Sequence, residues 1–225
     1  MSLLARAWAI LHKDVQSEWR TRERLSPMLF FVVLVLLVFS FAFDLGGAAL
    51  AEIGPGVLWS SLVFATVLAL NRSFADEQEN GCLDALLLAP GDRGAIYAGK
   101  MLANLVFLLT LEVLTLPVFA VFFNLTPAAH LWALLPILVL GAASLAAAGT
   151  LFAAMSANLR LRELLLPLLL LPMVVPALIA CVKGTAIVLQ ARPFAEVLPF
   201  LKILVAYVTV FVTLSLMLFE HVVEE

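Results

Sequence analysis

Six long apolar runs, set apart by short polar breaks, make up most of this 225-residue chain. They fall at 27–43, 55–70, 101–123, 131–155, 164–182 and 199–219. At about 1.5 Å per residue each comes close to crossing about 30 Å of hydrocarbon, the first two being short. Ser26-Pro27 and Thr126-Pro127 mark helix starts, each pairing a capping hydroxyl with a residue that needs no N–H donor. Gly54-Pro55-Gly56 reads as a hard break just ahead of the second run. Residues 1–24 follow a different pattern. Leu4, Trp8, Leu11, Val15 and Trp19 recur at steps of three or four, while Arg6, Lys13, Gln16 and Arg20 fall largely off that stripe. The spacing predicts an amphipathic helix lying in the membrane interface, with tryptophan at headgroup depth.

Composition agrees with this pattern. Hydrophobic residues are 64% of the chain and charged residues 13%, where soluble domains carry about 25% charged. The chain is therefore expected to be an all-α integral membrane protein. Its net charge of −3 says little, because the charges are segregated by side of the membrane. With the N-terminus in the cytoplasm, Arg6, Lys13, Arg20, Arg22, Arg24, Arg72, Arg93, Lys100, Arg160 and Arg162 lie inside. Only Lys183, Arg192 and Lys202 then lie outside. The reverse orientation inverts that ratio, so both termini are expected to be cytoplasmic. Cys82 and Cys181 would then sit on opposite sides, which excludes an intrachain disulfide. No cleavable leader is expected: Asp14, Glu18 and Glu23 stand in the first 25 residues, and no short apolar core with a small-residue cleavage site follows.

One polar stretch, 76–93, reads DEQENGCLDALLLAPGDR. The second span is expected to continue as a helix through Asn80, with Gly81 in the left-handed cap position. A short helix follows with Leu83, Leu86 and Leu87 on one side, and Ala89-Pro90-Gly91-Asp92 is a turn signature. Five acids (Asp76, Glu77, Glu79, Asp84 and Asp92) face only Arg72, Arg93 and Lys100. A charge run ordinarily means a solvated connector. A connector has no use for the apolar series Leu83, Leu86, Leu87 and Leu88, so the elbow is read as a docking site for a soluble partner. Beside it, Gly94, Gly99 and Lys100 match the spacing of a phosphate-binding loop. Met101 replaces the magnesium-holding Ser or Thr, and no strand precedes the match. If ATP is involved, another subunit binds it.

Within the spans, Glu112 is the one clear ionisable group, about 17 Å beyond Met101 and so near the midplane. An unpaired carboxylate there is costly. No other span offers a Lys or Arg away from its ends, so Glu112 is read as a neutral acid bonded to a neighbouring helix or as a functional group. Pro167, Pro172 and Pro176 interrupt the fifth span, which lipid tolerates only where neighbours satisfy the freed carbonyls. That span is therefore expected to be buried against other helices, as a hinge or as a static bend. Gly141, Ala142, Ala143, Ser144, Ala146, Ala147, Ala148, Gly149 and Thr150 make the fourth span an internal packing face. The stretch 182–198 is long for a hairpin and reads as a candidate to dip back into the membrane. No paired acids, HExxH or GxSxG pattern supplies a catalytic or metal site.

The order of elements resembles a permease subunit of the ABC-2 exporter type: an amphipathic helix, six spans, and a coupling helix between the second and third. Within that type the chain resembles the CcmB family, the haem-exporter B subunits of cytochrome c maturation. The residues that carry the resemblance are Gly54, Pro55, Gly56 and Trp59 opening the second span, then Asn80, Gly81, Leu83 and Asp84 in the loop, with Leu86, Leu87 and Pro90 after them. Leu140-Gly141 and Leu171-Pro172 with Pro176 continue it, so that it covers nearly the whole chain.

The resemblance implies a bacterial inner-membrane permease, with residues 1–24 as interfacial helix and 25–225 as the six-span domain carrying a cytoplasmic elbow at 71–100. Two copies would pair with a cytoplasmic ABC ATPase and with haem-handling membrane subunits. Asp76, Glu77, Glu79, Gly81, Leu83, Asp84, Leu86, Leu87 and Pro90 would couple to that ATPase. The elbow would drive spans one, two and five, with Gly54, Pro55, Gly56, Trp59, Pro167, Pro172 and Pro176 as span-opening and hinge residues. Haem would be cargo, ATP would sit on the partner, and this chain would bind no cofactor and catalyse no reaction. Haem iron takes His, Met, Cys or Tyr ligands. Of His12, His130 and His221, only His130 stands where haem would emerge, and an interfacial histidine is its ordinary reading. An ABC-2 permease for a glycan, lipid or drug, and an ATP-independent carrier, remain open beside this reading.

Overall fold

The computed structural model describes residues 3–42, 48–73, 94–123, 131–157 and 162–222. Among them are seven α-helices and no strand: α1 (Leu3–Thr21), α2 (Leu25–Ala42), α3 (Ala48–Ser73), α4 (Gly94–Phe122), α5 (Leu134–Ala157), α6 (Arg162–Leu189) and α7 (Leu198–Val222). Short 3-10 turns, Leu131–Ala133 and Phe194–Glu196, lead into α5 and α7. The helices α2 to α7 are long and apolar enough to cross a membrane, and α1 is the amphipathic element before them.

The spans alternate in direction, as consecutive crossings must. Arg24 at the start of α2 lies over the Phe107 ring, and Ser40 near its end donates to the Phe122 carbonyl, so α2 and α4 run parallel. Trp59 and Leu70 of α3 face Gly141 and Gly149 of α5, a second parallel pair. Gly141 meets Cys181 and Ile137 meets Gly184, so α5 and α6 are antiparallel.

At the centre stands α5, in contact with α3, α4, α6 and α7. Every residue from 141 to 154 is buried, as the small-residue run predicts. Without side-chain bulk the neighbouring helices approach closely. A Cβ on Gly141 would overlap the Trp59 ring, and one on Gly149 would overlap Leu70. The peripheral helices show only stripes to the core. Met28, Val32 and Leu36 are the buried face of α2, and Ser60, Phe64 and Leu68 form the exposed stripe of α3.

Three expectations are corrected. Gly54-Pro55-Gly56 is no break before the second span, because Pro55 lies inside the continuous helix α3. A membrane helix tolerates such a proline when neighbours pack on it, and Gly54 sits against the Phe119 and Phe123 rings of α4. Pro172 and Pro176 are exposed on the outer surface of the protomer rather than buried, and Pro167 is half-buried. Beside them the Tyr207 hydroxyl of α7 donates to the Met173 carbonyl at 3.1 Å. The first part of the stretch 182–198 belongs to α6, which continues to Leu189 and is followed by the Phe194–Glu196 turn.

Candidate functional site: the helix ends that flank the polar loop

Asp76, Glu77, Glu79, Gly81, Leu83, Asp84, Leu86, Leu87 and Pro90 lie outside the described residues, as does His130. What the structure places is the pair of helix ends on either side of that polar stretch: the end of α3 and the start of α4. Both are anchored in the bundle. Leu70 of α3 packs on Gly149 of α5. Tyr97, in the first turn of α4, is fully buried and donates to the Ala147 carbonyl of α5 at 3.0 Å, its ring 5.8 Å from that of Phe219. Two turns on, Asn104 Nδ2 donates to Thr150 Oγ1 at 2.9 Å. In an apolar bundle such bonds fix position, since a polar group without a partner there is costly.

The same end of α4 carries α1. Gly99 permits a close backbone approach: a Cβ there would lie 2.8 Å from the Ile10 Cβ and 2.9 Å from the Ala7 carbonyl oxygen. Next to it Lys100, 1% exposed, sets its Nζ 2.9 Å from Oδ2 of Asp14, itself 5% exposed. The contact is charge to charge, for Oδ2 makes no aligned hydrogen bond. The other oxygen, Oδ1, lies 3.3 Å from Lys13 Nζ. One turn along α1, Glu18 Oε1 accepts the backbone N–H groups of Arg24 and Leu25 at 2.8 and 2.9 Å. A carboxylate there satisfies donors that the first turn of α2 leaves orphaned, and suits the positive end of its dipole.

The α1 helix thus has three flanks. Leu4, Trp8 and Trp19 of the predicted apolar stripe are exposed, the orientation a lipid-facing flank requires. His12, Gln16 and Arg20 form a polar flank. The third, Ala7, Ile10, Asp14 and Glu18, is buried on the protein. Sequence reasoning used Asp14 and Glu18 only as evidence against a cleavable leader and gave them no structural role. Their signal was positional: 7, 10, 14 and 18 make a second helical stripe, turned away from the tryptophans.

The apparent phosphate-loop match is helical from Gly94 onwards, and its lysine is spent on Asp14. Glu112 is buried within α4, about 6 Å beyond the helix midpoint. Its Oε2 has no hydrogen-bond partner, so the expected bond to a neighbouring helix is absent at that oxygen. Cys181 of α6 is buried within its electrostatic reach. Trp59 is buried with its indole N–H donated to Thr185 Oγ1 at 2.9 Å. That hydroxyl borders a cavity of about 520 Å³ between α3, α4, α5 and α6, otherwise lined by hydrocarbon such as Leu58, Val113, Leu116 and Leu135.

A model of the family described as "CcmB protein" matches residues 5–225 of the chain. The chain is 37% identical to "Heme exporter protein B" of Rhodobacter capsulatus over 171 residues, 76% of this chain and 78% of that one. It is 34% identical to the protein of that name from Paracoccus denitrificans over 171 residues, with the same shares. For the one from Pseudomonas aeruginosa the figures are 31% over 191 residues, 85% of this chain and 82% of that one.

Proposed function

The chain belongs to the CcmB family and is the multi-pass permease subunit of the haem-export ABC system of cytochrome c maturation, and on that premise we propose how it works. The polar loop 76–93 receives a separate cytoplasmic ATPase, which binds and hydrolyses the ATP. This chain hydrolyses nothing and holds no cofactor of its own. Its task is to turn movement of the loop into movement of the spans, with haem delivery, or release of a haem-loaded chaperone, as the output on the far side. Haem is cargo, handled by further membrane subunits of the maturation system. The excess of Lys and Arg at one set of helix ends supports an inner-membrane orientation with both termini in the cytoplasm.

The observation that carries this reading is the anchoring of both helix ends beside the loop. Leu70 on Gly149 and Tyr97 on the Ala147 carbonyl join α3 and α4 to the buried central helix α5. A force on the loop therefore acts on the core of the bundle and is not absorbed by slack connectors. A second copy of the chain completes the permease. In its support, Pro172 and Pro176 deprive the Leu168 and Pro172 carbonyls of their helical donors on an exposed apolar face, and lipid has none to offer.

Gly81→Val tests the coupling role, because a β-branched residue resists the positive φ that the sequence predicts for a helix cap at this position. The expected result is loss of ATPase co-purification or of cytochrome c assembly, with the permease still in the membrane. If both survive unaltered, the loop is not the coupling element.

A further inference from the structure

The buried acids of α1 have no place in a coupling route that runs from the loop through α3 and α4 to α5. Asp14 meets Lys100 of α4 at 2.9 Å, and Glu18 caps α2 through the N–H groups of Arg24 and Leu25. Lys100 is six residues past Gly94, the residue at which α4 emerges from the loop, or about 9 Å along the helix. Around it α1 and α4 are in backbone contact, with Gly99 against Ala7 and Ile10. One rigid helix therefore grips the loop-proximal end of α4 with one acid and the first turn of α2 with the next.

A buried ion pair is a poor source of net stability, since an apolar pair of like volume packs as well or better. What charges at fixed positions supply is register: Asp14 satisfies Lys100 in one placement of α1 on α4 and in no other. We propose that Asp14, Lys100 and Glu18 are positioning residues that make α1 a bridge from the loop-proximal end of α4 to the first span, α2. The Asp14–Lys100 pair fixes the register of one joint, and the Glu18 cap holds the other. This rests on the reading of the loop as the ATPase site. It adds a route by which loop movement reaches α2 directly, in parallel with the route through the core.

The test uses the assembled transporter in membranes, with three readouts: ATPase co-purification, ATP hydrolysis and cytochrome c assembly. In Asp14→Asn and Lys100→Met the ATPase is expected to stay bound and to hydrolyse ATP, with loss of most of the cytochrome c made per ATP. A purely structural role would lower all three readouts together with the amount of permease. Because each single change breaks a buried ion pair and can prevent accumulation, two double variants decide the matter. The swap Asp14→Lys/Lys100→Asp restores the pair and is expected to recover coupling. The apolar pair Asp14→Leu/Lys100→Met keeps the packing and is expected to accumulate but remain uncoupled. Wild-type coupling in the apolar pair, or an accumulating swap that stays uncoupled, overturns the proposal. Failure of the underlying reading looks different, since no ATPase would then co-purify even with the unaltered chain.

Discussion

Replacing Gly141 with alanine adds a single methyl group where α3, α5 and α6 pack closely. That Cβ would overlap the Trp59 ring, with Cζ3 at 2.7 Å, and would stand 2.9 Å from the Cys181 sulfur. Carbon contacts are optimal at about 3.5–4.0 Å, so one of the neighbours has to move by about 1 Å. Cys181 is buried. Trp59 is 1% exposed and tethered by its N–H to Thr185. Overpacking of this kind costs about 1–3 kcal/mol, and breaking the indole bond as the ring escapes adds about 1 kcal/mol. For a chain of this size each kcal/mol lowers the melting temperature by about 2–4 °C, so a fall of roughly 4–16 °C is expected. Thermal denaturation of the detergent-purified transporter, followed by tryptophan emission, measures it.

The decisive comparison is Gly141→Ala in a Trp59→Leu background. With the ring gone the methyl group has room, so the second substitution is expected to lose most of its cost. The cycle then shows a relieving coupling of about 1 kcal/mol or more. An unchanged melting temperature for Gly141→Ala, or an equal loss in both backgrounds, would refute the claim that glycine is there to admit the indole.

Two further outcomes follow from the buried polar groups. Asn104→Leu or Thr150→Val alone breaks a buried hydrogen bond and should cost about 1–3 kcal/mol, whereas the double replacement should cost less than the two single losses added together; chemical or thermal melts of the four chains check this. Glu112→Gln keeps the shape of a buried side chain whose Oε2 has no partner, so permease abundance and cytochrome c assembly should match the unaltered chain. Loss of assembly at normal abundance would instead make the carboxyl a functional group.

How much of this protein could be read from the order of its residues depends on which forces act alone. Spans are legible because hydrocarbon demands about twenty apolar residues whatever the neighbours do, and all six were found, though each helix runs past the apolar stretch that announced it. The glycine and alanine run of α5 was legible as a packing face for a related reason: only close approach explains so little side-chain volume. Proline misled twice, because its effect depends on neighbours the sequence does not display. Pro55 was taken to stop a helix that Phe119 and Phe123 help to continue, and Pro172 and Pro176 were placed inside although they face outward.

The acids of α1 are the more instructive miss. A charge on an interfacial helix is ordinarily solvated, and Trp8 and Trp19 drew the only stripe that such reasoning seeks. Yet a helix lying in the interface beside a bundle has three neighbours: lipid, water and protein. Two stripes are therefore needed to orient it, and the second need not be apolar. Ala7 and Ile10 supply close approach, while Asp14 finds a buried lysine and Glu18 a helix N-terminus. An acid at such a site adds little net stability beside a buried leucine, but it makes a stricter demand on where its partner stands.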